Sequence, residues 1–200
     1  HYSPGNLVKG CLLEVRKPNH GNFPLVISRT TTEFLKKLLA NEIPEIKRGI
    51  VEIKAIARFP GEIAKVAVHS TDPKIDPVGT CIGDRANRIK AIIKELAGEK
   101  IEVVRWDSDP AKFTAFALAP ATVRSVVYHA ERGEAIAWVA KDQLFLAIGK
   151  KGQTVRLACK LTGWNVIVNR IEEEKKSVLS LLGISDETVQ KLQTRGFETL

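Results

Sequence analysis

The chain has 200 residues, room for one or two compact domains that each bury a core. With 44% hydrophobic and 27% charged residues its composition is globular rather than disordered, and no apolar run is long enough to cross a bilayer. A formal net charge of +8 invites an anionic partner; basic residues dominate through residue 170, and the remaining tail is mildly acidic. The start, His1-Tyr2-Ser3-Pro4, lacks the charged-then-apolar layout of a secretory signal, and the absence of any Met suggests a fragment or a processed chain. Cys11, Cys81 and Cys159 are odd in number and scattered, with neither metal-ligand nor disulfide spacing. A reducing, cytoplasmic setting without metal or cofactor is expected.

In chain order, Leu12 to Val15 and Leu25 to Ile27 read as short strands around the turn-forming cluster Pro18-Asn19-His20-Gly21-Asn22. Thr30-Thr31-Thr32-Glu33 matches a capping box ahead of a helix carrying Phe34, Leu35, Leu38 and Leu39. Ile50 to Ile56 and Ile63 to Val68 alternate apolar with polar residues, as half-buried strands do, and Pro60-Gly61 turns the chain between them. A Pro-containing stretch leads to Ile82-Gly83-Asp84-Arg85-Ala86. Then comes a helix through Ile89, Ile92, Ile93 and Leu96 that ends at Gly98, a residue suited to the left-handed cap. Ile101 to Val104 is the closing strand. The unit, residues 31–106, therefore runs helix, strand, strand, short helix, helix, strand.

The same order recurs over residues 107–170. Asp109-Pro110 opens a helix through Phe113, Phe116, Ala117 and Leu118. Ser125 to Tyr128 and Ala135 to Val139 make the strand pair. Asp142 is expected to cap Gln143 to Ile148, a glycine turn leads to a helix over Thr154 to Leu161, Gly163 ends it, and Trp164 to Val168 is the last strand. Ile82-Gly83 aligns with Ile148-Gly149, Ile89 with Val155 and Lys94 with Lys160, so the chain is a duplicated α/β (α+β) unit.

The chemistry lies in the turn Gly149-Lys150-Lys151-Gly152. Two glycines let the backbone bend sharply and remove Cβ atoms that would hold a sugar-phosphate chain away. The next helix offers its N-terminal amides and positive dipole end to the same spot. Lys150 and Lys151 add mobile point charges, and Gln153 and Arg156 follow on that helix. This is the G-x-x-G loop of a KH module, which clamps about four backbone nucleotides of single-stranded RNA beside an apolar groove. The apolar faces of Leu144 to Ile148 and Val155 to Leu161, with Trp138, are expected to line that groove. The isolated motif would be an ordinary turn; flanking helices, strands and the repeat decide for the KH reading. In the first copy, Gly83-Asp84-Arg85-Ala86 keeps the leading glycine but puts a Cβ and an acid at the loop, which predicts a weaker grip there. Arg85, Arg88 and Lys90 still supply positive charge.

Nothing points to catalysis. No P-loop spacing is present, and Ser3 and Ser28 have no evident base. The four histidines stand apart from any metal-site pattern, and Trp106, Trp138 and Trp164 read as sheet residues.

Several segments resemble the NusA family: Pro44-Glu45-Ile46 with Gly49 to Lys54, Ala57 to Gly61, Asp76 to Gly79, and Glu95 to Ile101. The longest is Asp142 to Gln153, continuing as Val155-Arg156-Leu157-Ala158 and Leu161-Thr162-Gly163-Trp164. The resemblance implies two tandem prokaryotic-type KH domains, preceded in residues 1–30 by the closing strands of an OB-fold barrel. It also implies a tail, residues 171–200, that begins a helical hairpin repeat. It further implies a non-enzymatic factor that binds nascent RNA, rides on bacterial RNA polymerase with other elongation factors, and modulates pausing, termination and antitermination. A ribosome-associated or RNA-processing protein using KH modules is the alternative.

Overall fold

The computed structural model describes residues 3, 5–17 and 25–171. Strands β1 (Cys11–Val15) and β2 (Leu25–Ser28) form an antiparallel ribbon with Leu12, Leu13, Val15, Leu25 and Ile27 exposed. The ribbon is tied to the body through Arg29, whose guanidinium donates to the Glu95 carboxylate at 3.0 Å. The turn cluster 18–22 and the expected helical tail from residue 172 onward lie outside the described residues.

Helix α1 (Thr32–Glu42) begins where the Thr31 hydroxyl accepts from the Phe34 amide. The cap is thus Thr31, one residue later than the capping box predicts, and Phe34, Leu35, Leu38 and Leu39 are buried together on one face. The short helix α2 (Pro44–Lys47) follows; four residues are too few for a periodic signal, and only Pro44 at its first turn marks it. Strands β3 (Val51–Phe59) and β4 (Ile63–Ser70) pair antiparallel. The chain then passes through α3 (Pro77–Ile82) and α4 (Asn87–Glu95) to β5 (Lys100–Arg105), which lies parallel to β4. The sheet order is β3-β4-β5.

The second unit repeats this plan. Helix α5 (Pro110–Ala117) is capped by Asp109, which accepts from the Ala111 amide. Strands β6 (Val123–His129) and β7 (Glu134–Val139) pair antiparallel, α6 (Leu144–Ile148) and α7 (Gln153–Thr162) follow, and β8 (Asn165–Arg170) runs parallel to β7. The expected Asp142 cap is not made: its carboxylate accepts from the Gln143 side chain, and a single 3-10 turn, Lys141–Gln143, leads into α6.

Helix α4 also departs from expectation at its end. Ala97 (φ 57°) precedes Gly98 (φ 97°) at positive φ, and the Gly98 amide bonds the Ile93 carbonyl at 2.9 Å. The residue corresponding to Ala97 in the second unit is Gly163 (φ 78°). A left-handed alanine costs roughly 1 kcal/mol that a glycine avoids.

Two polar pairs are largely buried in the structure. Inside the first unit, Arg58 and Glu99 form a buried bidentate pair at 2.6 and 2.8 Å. Arg58 also donates to the Thr31 carbonyl, and Glu99 accepts from the Gly61 amide. The pair joins helix cap, strand hairpin and closing strand. Between the units, Ala57, Ala67 and Val104 share one apolar cluster with Phe113, Leu118, Leu157 and Leu161. Lys65 is fully buried at this seam. Its ammonium meets the Glu102 carboxylate at 2.8 Å and donates to the Ala119 carbonyl of the second unit. Burial pushes the Lys65 pKa down, opposed by Glu102. Burial alone would raise the Glu102 pKa, but hydrogen bonds from Lys100 and Lys65 outweigh it and hold it below the usual range.

Candidate nucleic-acid interface

The two G-x-x-G positions adopt one backbone. Gly83 has φ 75°, ψ 171° and Gly149 has φ 74°, ψ 172°. Arg85 (49°, 27°) matches Lys151 (51°, 28°), and Ala86 (60°, 27°) matches Gly152 (73°, 19°). In each loop the fourth residue's amide closes on the first residue's carbonyl at 3.1 Å.

The first and fourth positions need glycine for different reasons. A Cβ on Gly149 would lie 2.2 Å from Thr154 Oγ1 and 2.8 Å from the Thr154 amide nitrogen. On Gly83 it would lie 2.4 Å from Asn87 Oδ1 and 2.8 Å from Arg88 Cγ. The leading glycine is therefore required by close helix packing as well as by its positive φ. At Gly152 the nearest atom to an added Cβ is Val155 Cγ1 at 4.0 Å, so only the backbone conformation favours glycine. Ala86 occupies that conformation in the first unit, and the loop keeps its shape. A reciprocal exchange is informative: Gly152→Ala should lower, and Ala86→Gly raise, unfolding free energy in urea by about 1 kcal/mol each. A loss of several kcal/mol for Gly152→Ala would mean that a Cβ at this position clashes with its surroundings.

The cation one turn into each helix braces the loop in the same way. Lys90 donates to the Arg85 carbonyl at 3.1 Å, and Arg156 donates to the Lys151 carbonyl at 2.9 Å. These pairs occupy equivalent places in the repeat. Lys150 and Lys151 are exposed, and Gly149 and Gly152 are half-buried at the surface. In the first loop, Asp84 and Arg85 are exposed side by side, so the charge there is balanced where the second loop is doubly positive.

Three other predicted residues are placed differently from their loop neighbours. The Arg88 guanidinium pairs with Glu45 at 2.9 Å and donates to the Thr80 carbonyl at 2.8 Å, which fastens α4 to α2 and α3 beneath the loop. The Glu45 pKa is lowered, first by a backbone hydrogen bond and then by Arg88. The Gln153 amide donates to Glu62 in the β3–β4 turn of the first unit. Arg156 lies 5.3 Å from the centroid of the Phe59 ring, and Lys160 stands 4.3 Å from it. The start of α7 is thus seated on the first unit's hairpin. Sequence reasoning missed this; the signal available was Phe59 at the end of a strand, an aromatic with no partner in its own unit's pattern.

The apolar groove also differs from expectation. Leu157, Ala158 and Leu161 are buried in the shared core and do not line it. The exposed apolar surface near the second loop comes from α6, with Phe145 at 84%, Leu146 at 46% and Ile148 at 36% of full exposure. Beside the first unit a cleft of about 370 Å³ opens between Val78, Val103 and Arg105 on one side and Phe116, Ala119 and Val123 of the second unit on the other. Arg105 there pairs with Asp76, whose carboxylate caps α3 at the Gly79 amide; that bond and then Arg105 hold its pKa below the usual range.

The Cys81 thiol is pushed up to about 12 by burial, so thiolate is scarce near neutral pH. Among the described residues, no group of His, Cys, Asp and Glu could hold a metal ion, and no helix is long and apolar enough to cross a membrane.

Comparison with known proteins agrees with this geometry. Residues 29–106 match the NusA-like first KH domain, and residues 110–176 match the NusA-like second KH domain. The chain is 44% identical over 165 residues to a Bacillus subtilis protein named transcription termination/antitermination protein NusA, covering 82% of this chain and 44% of that protein. Proteins of the same name from Halalkalibacterium halodurans and Thermus thermophilus are 41% and 48% identical. These matches cover 94% and 82% of this chain, and 49% and 42% of the relatives. The chain spans a little under half the length of these curated relatives. Two loops of one backbone shape, each in its expected helical setting, together with these matches, identify the chain as the tandem KH pair of the NusA family.

Proposed function

We propose that this chain binds nascent single-stranded RNA along its paired KH units and works with bacterial RNA polymerase and other elongation factors. Through that contact it modulates pausing, termination and antitermination. The observation that carries the reading is the exposed, doubly cationic loop at Lys150 and Lys151, set at the N-terminus of α7 between two glycines. Gly149, Gly152 and the Lys150 and Lys151 ammonium groups take the phosphates, Gln153 and Arg156 hold the loop against the first unit, and Gly83, Arg85 and Lys90 make the lesser contact. Arg88 serves as the strut beneath that lesser loop. The names borne by the curated relatives support the transcriptional role. The reading is of a binding protein rather than an enzyme, acting in the cytoplasm without a cofactor. In it, the β1–β2 ribbon is the end of an OB-fold barrel, with residues 31–106 and 107–170 as the two KH domains.

Titration with a fluorescent, unstructured RNA at a series of salt concentrations tests it. Affinity should fall linearly on a log–log plot, with a slope of about −0.7 per phosphate neutralised. Binding that ignores salt, or no binding at all, would sink the reading. Copurification with ribosomes in place of polymerase would favour the ribosome-associated alternative.

A further inference from the structure

The side chain at position 145 has no place in the fold's own packing. Of the α6 residues, Ala147 is fully buried and Leu144 half-buried, whereas Phe145 is 84% exposed. Residues three and four apart share a helix face, so Phe145 stands over the same face as Ile148 and Gly149. The Gly149 amide donates to the Phe145 carbonyl at 2.9 Å, which fixes the ring's residue one turn before the loop. A bare aromatic residue therefore stands one helical turn before Lys150 and Lys151. The first unit is an internal control. The residue in the equivalent place is Gly79, where an added Cβ would stand 2.8 Å from Asp76 Oδ2, the oxygen that caps α3. The first loop thus lacks both the ring and the double positive charge, and the second has both.

We infer that Phe145 is a stacking platform for an unpaired RNA base whose neighbouring phosphates lie on the Gly149–Gly152 loop. This rests on the RNA-binding reading above and extends it with a contact confined to the second unit. Charge argues for the occupant: a polyanion carrying flat aromatic groups suits an exposed ring one turn before a doubly cationic loop, whereas an apolar protein surface covering both would have to desolvate the lysines. Stacking on a phenyl ring tolerates any base, with purines held most tightly through their larger faces.

The experiment uses the full chain and a short unstructured RNA with 2-aminopurine at successive positions. Phe145→Ala should weaken binding about tenfold or more and remove the fluorescence quench at one position. Phe145→Trp should restore both, and Phe145→Leu, apolar but without a π-face, should restore neither. An abasic nucleotide at the quenched position should make Phe145→Ala silent. Equal affinity for the Ala and Phe forms, or full rescue by Leu, overturns the platform. Loss of polymerase association with RNA affinity intact also overturns it, in favour of a protein contact. If Lys150→Asp with Lys151→Asp weakens binding while Phe145→Ala does not, the platform alone fails. If neither weakens it, the RNA-binding reading fails first.

Discussion

Replacing Lys150 and Lys151 together by Asp is expected to cut RNA affinity at least about a hundredfold at low salt while leaving the unfolding midpoint nearly unchanged. Two unit charges about 4 Å apart interact by roughly 1 kcal/mol in water, so reversing a cation beside a phosphate changes its contribution by about 2 kcal/mol. Two such reversals amount to about 4 kcal/mol, somewhat less after screening. Neither lysine takes part in the core, since both side chains are exposed and the loop is held by backbone bonds and by Arg156. Fluorescence anisotropy and a urea melt on the same preparation separate the two effects. An affinity within threefold of the parent would remove the loop from the interface. The same double change should also flatten the salt dependence, because fewer counterions are released.

Glu99→Ala should produce the largest stability loss, about 3–5 kcal/mol, because it strands the Arg58 guanidinium inside the first unit. It also leaves the Gly61 amide, at the hairpin turn, without its acceptor. Since whole domains are stable by only about 5–15 kcal/mol, the variant should be close to unfolding at ambient temperature. Removing both partners, as Arg58→Met with Glu99→Leu, should cost less than the single change, because no charge is left unpaired. Urea unfolding followed by circular dichroism decides the matter. A double variant weaker than Glu99→Ala would mean that the pair holds the hairpin in place beyond balancing charge.

The sequence made the repeat and the loops legible because both depend on local rules. Apolar periodicity marks the strands and helices, and glycine marks the turns. The departures arise where tertiary context chooses among local options. Thr31 rather than Thr30 is the cap, a choice between adjacent threonines that no local rule makes. Ala97 joins Gly98 at positive φ, where glycine alone would be expected. The seam was illegible for a stronger reason. Nothing local says that Lys65, in an alternating strand, will lose all contact with water, or that Gln153 will reach Glu62 ninety-one positions away. Such contacts are set by how two finished sheets meet. The candidate site was legible in its loop and in part in its walls: the α6 face expected to be open is exposed at Phe145, whereas the α7 face expected beside it is core.

The ammonium group of Lys65, on the middle strand of the first unit, reaches the Ala119 carbonyl just beyond α5 of the second. A duplication ordinarily yields parts that can be traded, but here a buried charge joins the copies as well as apolar contact. An RNA strand bridging both loops, as proposed above, would therefore meet them at a spacing that the seam sets.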